Sequence, residues 1–117
     1  MPTFIMQTNI LKIDHNVEAE LHNEIKSLLS RVIGKSEDFI LTVFHVGLSM
    51  KFGGKKGNIA YCEIKNVGTL NKSITSELSK ALCSLLSDKL QIDPLHTYID
   101  FQESERHLWG WNCKTFA

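Results

Sequence analysis

Residues Phe39 to Val46 read Phe-Ile-Leu-Thr-Val-Phe-His-Val, a run of β-branched and aromatic side chains that predicts a strand. Successive side chains of a strand point to opposite faces. Phe39, Leu41 and Val43 therefore share one face, and Ile40, Phe44 and Val46 the other. Both faces are apolar, so both sides of the sheet that holds this strand must be covered.

Upstream, Val17, Leu21, Ile25, Leu28, Leu29 and Val32 recur at helical spacing. Asn16 is a candidate cap at the start of that helix and Gly34 a stop at its end. Thr3 to Thr8 reads as an earlier strand. Downstream the pattern repeats, about 56 positions later. Ile59 to Asn66 is a strand. Ile74, Leu78, Ala81, Leu82, Leu85 and Leu86 form a second helical stripe, with Ser73 a candidate cap, and Thr97 to Gln102 is a closing strand introduced by Pro94. The chain is thus strand–helix–strand twice.

A helical crossover makes the strands of each unit parallel. Right-handed crossovers place both helices on the same face of one four-stranded sheet. The expected class is an α/β sandwich of two β-α-β repeats, a single domain over residues 1–117. Two helices cover one face only, and an open apolar face is uncommon on a soluble monomer. The tail after Gln102 is short and carries Ser104, Glu105 and Arg106, so other copies of the chain are expected to cover that face.

Composition narrows the partners. Thirteen basic and 13 acidic residues give a formal net charge of zero, so no long-range field draws nucleic acid or an anionic membrane. No apolar stretch is long enough to span a bilayer. The start, Met-Pro-Thr-Phe-Ile-Met-Gln-Thr-Asn, lacks the features of a secretory signal. A cytoplasmic protein is expected, with any secretion by another route. Cys62, Cys83 and Cys113 are too widely spaced for a disulfide framework or a paired metal motif; they read as reduced thiols, with Cys83 buried on its helix. His15, His22, His45, His96 and His107 show no metal-ligand spacing. The segment Phe52 to Asn58 is rich in glycine and lysine but lacks a phosphate-loop pattern, and reads as a solvated loop.

Several short stretches, in this order and spacing, carry a resemblance: Pro2 with Phe4-Ile5 and Thr8-Asn9; Ile33-Gly34-Lys35; Met50-Lys51-Phe52-Gly53-Gly54; Leu82-Cys83-Ser84-Leu85-Leu86; Ile92-Asp93-Pro94; Tyr98-Ile99; and Gly110-Trp111-Asn112 with Thr115-Phe116-Ala117. Over its whole length the chain resembles the macrophage migration inhibitory factor family. The resemblance implies a homotrimer whose sheets line a central barrel. It implies cofactor-free keto–enol isomerisation of phenylpyruvate-like or dopachrome-like substrates, with Pro2, freed by removal of Met1, as the catalytic base. It also implies a second role as a signalling ligand for a cell-surface receptor.

Among the substrate-binding residues implied, Lys35 grips a carboxylate or carbonyl oxygen and Val67 donates its backbone N–H. Phe39 is a pocket wall, a tyrosine in many relatives. Trp109, Trp111 and Phe116 complete the aromatic lining. Tyr98 and Asp100 come from the neighbouring subunit, so the pocket lies between protomers. The chemistry is sound on its own terms. An α-amino group titrates near pH 8. Burial beside Phe4, Tyr98, Trp111 and Phe116, and a nearby lysine, both disfavour its charged form, bringing the base toward its working pH.

Three departures from the family pattern stand out. Asp100 replaces a frequent asparagine, and a carboxylate there repels an acidic substrate unless Lys35 or another cation pairs with it. Lys65 replaces a frequent histidine and is a candidate for that compensation. The family's Cys-x-x-Cys is missing, leaving Ile59 where its first thiol would be and Cys62 alone, so no thiol–disulfide activity is expected.

Overall fold

A computed structural model describes all residues, Met1 to Ala117. The two predicted repeats are present. The first is β1 (Thr3–Thr8), α1 (His15–Leu29) and β2 (Leu41–His45); the second is β3 (Ala60–Val67), α2 (Lys72–Leu90) and β4 (Thr97–Ser104). The sheet order is β2-β1-β3-β4. Within each repeat the strands are parallel, and the repeats join through antiparallel β1 and β3. The sheet is therefore mixed, with β2 and β4 as its edges.

Register divides the side chains cleanly. Phe4 lies beside Thr42 and Ile64, and Met6 beside Phe44 and Cys62. Phe4, Met6, Cys62 and Ile64 are fully buried with Leu21, Ile25 and Leu29 of α1 and Leu78, Leu82 and Leu86 of α2. Both helices lie on that one face. The other face presents Leu41, Val43 and His45; Ile5 and Gln7; Tyr61, Glu63 and Lys65; and Tyr98, Asp100 and Gln102. Thr3 shares this face at the cleft end and is buried; none of the others is, and Leu41 and Tyr98 are more than half exposed. Neither the long loop nor the tail closes this face within one protomer.

Local chemistry gives the Thr8-Asn9 pair a structural role. Thr8 Oγ1 donates to the Ile59 carbonyl at 2.7 Å, while Asn9 accepts from the Ile59 N–H at 2.8 Å and donates to the Gly57 carbonyl at 3.0 Å. These bonds pin the loop entering β3 against the end of β1.

Several local expectations need correction. The cap of α1 is Asp14, whose carboxylate accepts from the N–H groups of Asn16 and Val17, so Asn16 lies inside the helix. The cap of α2 is Asn71, accepting from Ile74, and Ser73 lies inside. In both cases the capping side chain sits upstream of the one the apolar stripe suggested. Phe39 belongs to a 3₁₀ turn, Glu37–Phe39, capped by Ser36, and β2 starts only at Leu41. Cys83 is half-buried, and the buried thiol is Cys62 on β3. The tail also forms a hairpin, β5 (Gly110–Trp111) with β6 (Lys114–Thr115). Its two-residue turn, Asn112-Cys113, has positive φ at both positions, as a tight hairpin turn requires.

Candidate active site

Helix α1 runs into a wider π turn, Ser30–Gly34. Gly34 has φ +80°, a conformation open to glycine at little cost, and Lys35 follows in extended geometry. Ser30 Oγ donates to the Lys35 carbonyl at 2.6 Å. The helix end thus fixes Lys35 where the chain turns back toward β2. At the start of β2, the Leu41 N–H donates to the Pro2 carbonyl at 3.3 Å. Pro2 itself is buried.

A cleft of about 380 Å³ opens at this end of the sheet, lined by Met1, Thr3, Asp38, Phe39, Ile40, Leu41, Trp109, Gly110, Trp111 and Phe116. Seven of its ten lining residues are apolar. The aromatic groups contact one another: Phe39 and Trp111 meet edge to face at 5.1 Å, and Trp111 and Phe116 lie parallel at 6.2 Å. The terminal amine has a pKa lowered from the ordinary α-amino value, first by burial and second by the positive charge of Lys35. Here that amine belongs to Met1; cleavage after Met1 transfers it to Pro2, one residue further in.

Of the residues expected at the site, Phe39, Trp109, Trp111 and Phe116 line this cleft; Pro2 and Lys35 are not among its lining residues, Pro2 being tied to Leu41 beside it and Lys35 acting on the Met1 amine by its charge. Val67 ends β3, and continuing the β1–β3 register past Thr3 and Lys65 sets it beside Met1. Tyr98 and Asp100 are not in the cleft. They lie on β4, the far edge of the sheet from β2. Two of the aromatics named for burying the amine are also elsewhere. Phe4 points into the core against Phe44, and Tyr98 packs against Phe52 of the long loop at 4.4 Å. Lys55 lies 4.3 Å from the Phe52 ring centre.

Asp100 has no cationic partner within the protomer. Its carboxylate accepts from Gln102 Nε2 at 2.8 Å, and its register partner is Glu63. Lys65 is in register with Gln102, and the ion pairs of the protomer are Lys89 with Glu20 and Glu24, and His107 with Glu105. Within one protomer, then, neither Lys35 nor Lys65 pairs with Asp100; a pairing with a neighbour's lysine belongs to the assembly. Asp38 was missed from sequence, although it shares a turn with Phe39. Nothing marks a solvent-exposed acid as a cleft residue until the turn places it there. The described groups include no cluster of three or more histidine, cysteine or acidic residues able to hold a metal, and no helix is long and apolar enough to cross a membrane.

The family model for macrophage migration inhibitory factor matches residues 1–117. The macrophage migration inhibitory factor of Rattus norvegicus is 32% identical over 117 residues, all of both chains. A homologue from Brugia malayi is 27% identical over the same span. Among solved structures, the homologue from Prochlorococcus marinus superposes with a TM-score of 0.90 at 30% identity, covering 98% of this chain and 99% of its own. The related protein from Entamoeba histolytica gives 0.88 at 30% identity, covering 98% of each chain.

Proposed function

The chain belongs to the macrophage migration inhibitory factor family, and from that membership we propose that it is a cofactor-free keto–enol tautomerase acting on phenylpyruvate-like or dopachrome-like carbonyl compounds. The observation that carries this reading is the setting of the chain start: burial and Lys35 lower the pKa of the Met1 amine at the edge of an aromatic cleft, and removal of Met1 would leave the Pro2 amine beside the same lysine. A base held neutral near its working pH is what proton abstraction from a carbon acid requires.

In this mechanism Met1 is removed and the secondary amine of Pro2 takes a proton from the carbon alpha to the substrate carbonyl. Electron density moves to the carbonyl oxygen, and Lys35 stabilises the developing enolate. The same nitrogen returns the proton, to oxygen or to the other carbon. Phe39, Trp109, Trp111 and Phe116 hold the substrate ring and exclude water, which strengthens the Lys35 interaction. Val67 supplies a backbone N–H.

The open face of the sheet is covered by two further copies in a homotrimer. Tyr98 and Asp100, remote from the cleft of their own protomer, then line the cleft of a neighbour. Dissociation of the trimer abolishes turnover on this account.

Comparison of the processed wild type with Pro2→Gly in a phenylpyruvate tautomerisation assay tests the proposal. A loss of about 100-fold or more is expected for removing a general base; an unchanged rate contradicts it. The name of the relatives, a factor inhibiting macrophage migration, favours a second reading, a signalling ligand that acts by binding rather than turnover. Receptor binding that survives Pro2→Gly would make that role independent of turnover.

A further inference from the structure

Phe116 has both of its backbone polar groups tied to one residue. Its N–H is shared between the carbonyls of Arg106 and Trp109, each at 3.2 Å. Its carbonyl accepts from Arg106 Nε at 2.7 Å. Arg106 opens a 3₁₀ turn, Arg106–Leu108, at the exit of β4. The Phe116 ring lies parallel to Trp111, and Trp111 meets Phe39 edge to face. One continuous series of contacts therefore runs from an exposed arginine through the chain terminus to the wall of the cleft.

We propose that Arg106 is a positioning residue for the substrate pocket, a latch that holds the terminal segment so that Phe116 and Trp111 close the cleft over the bound ring. The inference rests on the cleft being the reaction site, and it deepens that reading.

Three observations support the latch. The last residues have few other ties: β6 is two residues long, and beyond it Ala117 N–H donates only to Thr115 Oγ1, at 3.3 Å. A charge-assisted bond from a guanidinium is stronger than an amide–carbonyl bond, so it counts for most where little else holds. Arg106 is also free for this role. It makes no ion pair of its own, because its neighbour Glu105 is engaged by His107 Nε2 at 2.7 Å. Finally, Arg106 is exposed and lies outside the buried core cluster. It lines a separate cleft with Gly68, Thr69, Glu103 and Ser104, so its loss leaves the two β-α-β units intact.

The test uses the full, processed protein and three variants, read by steady-state kinetics with phenylpyruvate and by tryptophan emission. Trp109 and Trp111 are the only tryptophans and both lie in the latched segment. Arg106→Ala is expected to raise KM about tenfold, as loss of a charged hydrogen bond allows, to leave kcat within about twofold, and to move tryptophan emission to longer wavelength. Arg106→Lys, which keeps a charged donor, should recover much of both signals. The proposal is overturned if Arg106→Ala leaves KM and emission at wild-type values, or if the lysine variant is as impaired as the alanine one. Pro2→Gly separates this from the reaction itself: should it turn over like wild type, the proposed function falls, while the emission change still reports whether the latch exists.

Discussion

Phe39 and Trp111 meet edge to face with ring centroids 5.1 Å apart and planes inclined by 77°, joining the turn before β2 to the C-terminal hairpin across 71 residues of intervening sequence that include the whole second repeat. An aromatic pair of this kind contributes about 0.5–1.5 kcal/mol beyond its buried area. Trp111→Ala removes both the pair and one wall of the cleft. It is expected to raise KM for phenylpyruvate about tenfold or more, with a smaller change in kcat, measured by initial rates. Phe39→Tyr keeps the ring and should stay within about threefold of wild type.

Lys35 acts on the amine through its charge, so its removal has a signed consequence for pH. After burial, the charge of Lys35 is the second cause that lowers the pKa of the Met1 amine, and on the proposed mechanism it acts in the same sense on the Pro2 amine freed by removal of Met1. In Lys35→Ala that repulsion is gone and the pKa rises toward its ordinary value. Activity needs the neutral amine, so the acid limb of the kcat/KM profile moves to higher pH, and the loss is greater at pH 6 than at pH 8. Profiles of the two enzymes measured side by side check this. Superimposable acid limbs would remove Lys35 from the account of the amine.

Within its own protomer Asp100 brings a carboxylate without a cationic partner to the open face beside Glu63. If that face meets a neighbour's cleft, an anionic substrate is repelled there unless the neighbour's lysine pairs with the carboxylate. Exposed charge pairs are worth about 0.2–1 kcal/mol, so Asp100→Asn should lower KM for phenylpyruvate by about two- to fivefold. The methyl ester of the same compound, uncharged, should show no such gain.

The thiols provide a prediction independent of turnover. Cys62 is fully buried, and burial, with a smaller contribution from Cys83, pushes its pKa up to about 12. Cys113 is exposed in the hairpin turn, and Cys83 is half-buried with its pKa raised by burial. Labelling at pH 8 should modify Cys113 first, Cys83 more slowly, and Cys62 only on unfolding, as peptide mass mapping would show. An insulin-reduction assay should show no thiol–disulfide activity, since the one buried thiol has no resolving partner on β3.

Much of this architecture could be read from side-chain periodicity. Alternation from Leu41 to His45 and the leucine stripe from Leu78 to Leu86 respond directly to burial, so the strands, the helices and the open second face of the sheet could be read. The caps were misplaced because Asp14 and Asn71 lie just outside the apolar stripes that mark the helices. The hairpin at Gly110 to Thr115 was missed because strands of two residues have no periodicity to detect. The site was legible only in part. Pro2, Lys35 and the tail aromatics came from the family resemblance, whereas their meeting depends on long-range folding. The absence of a cation beside Asp100 and the hold of Arg106 on Phe116 are properties of geometry, with no counterpart in local sequence pattern.

The account turns on the ionisation of one nitrogen. Titration of the processed chain, labelled with ¹⁵N-proline and followed by NMR, reads it directly at Pro2. The account predicts a midpoint clearly below the ordinary α-amino range of about 7.7–8.0, rising when Lys35 is replaced by alanine. A midpoint within or above that range, with Lys35 in place, would contradict it.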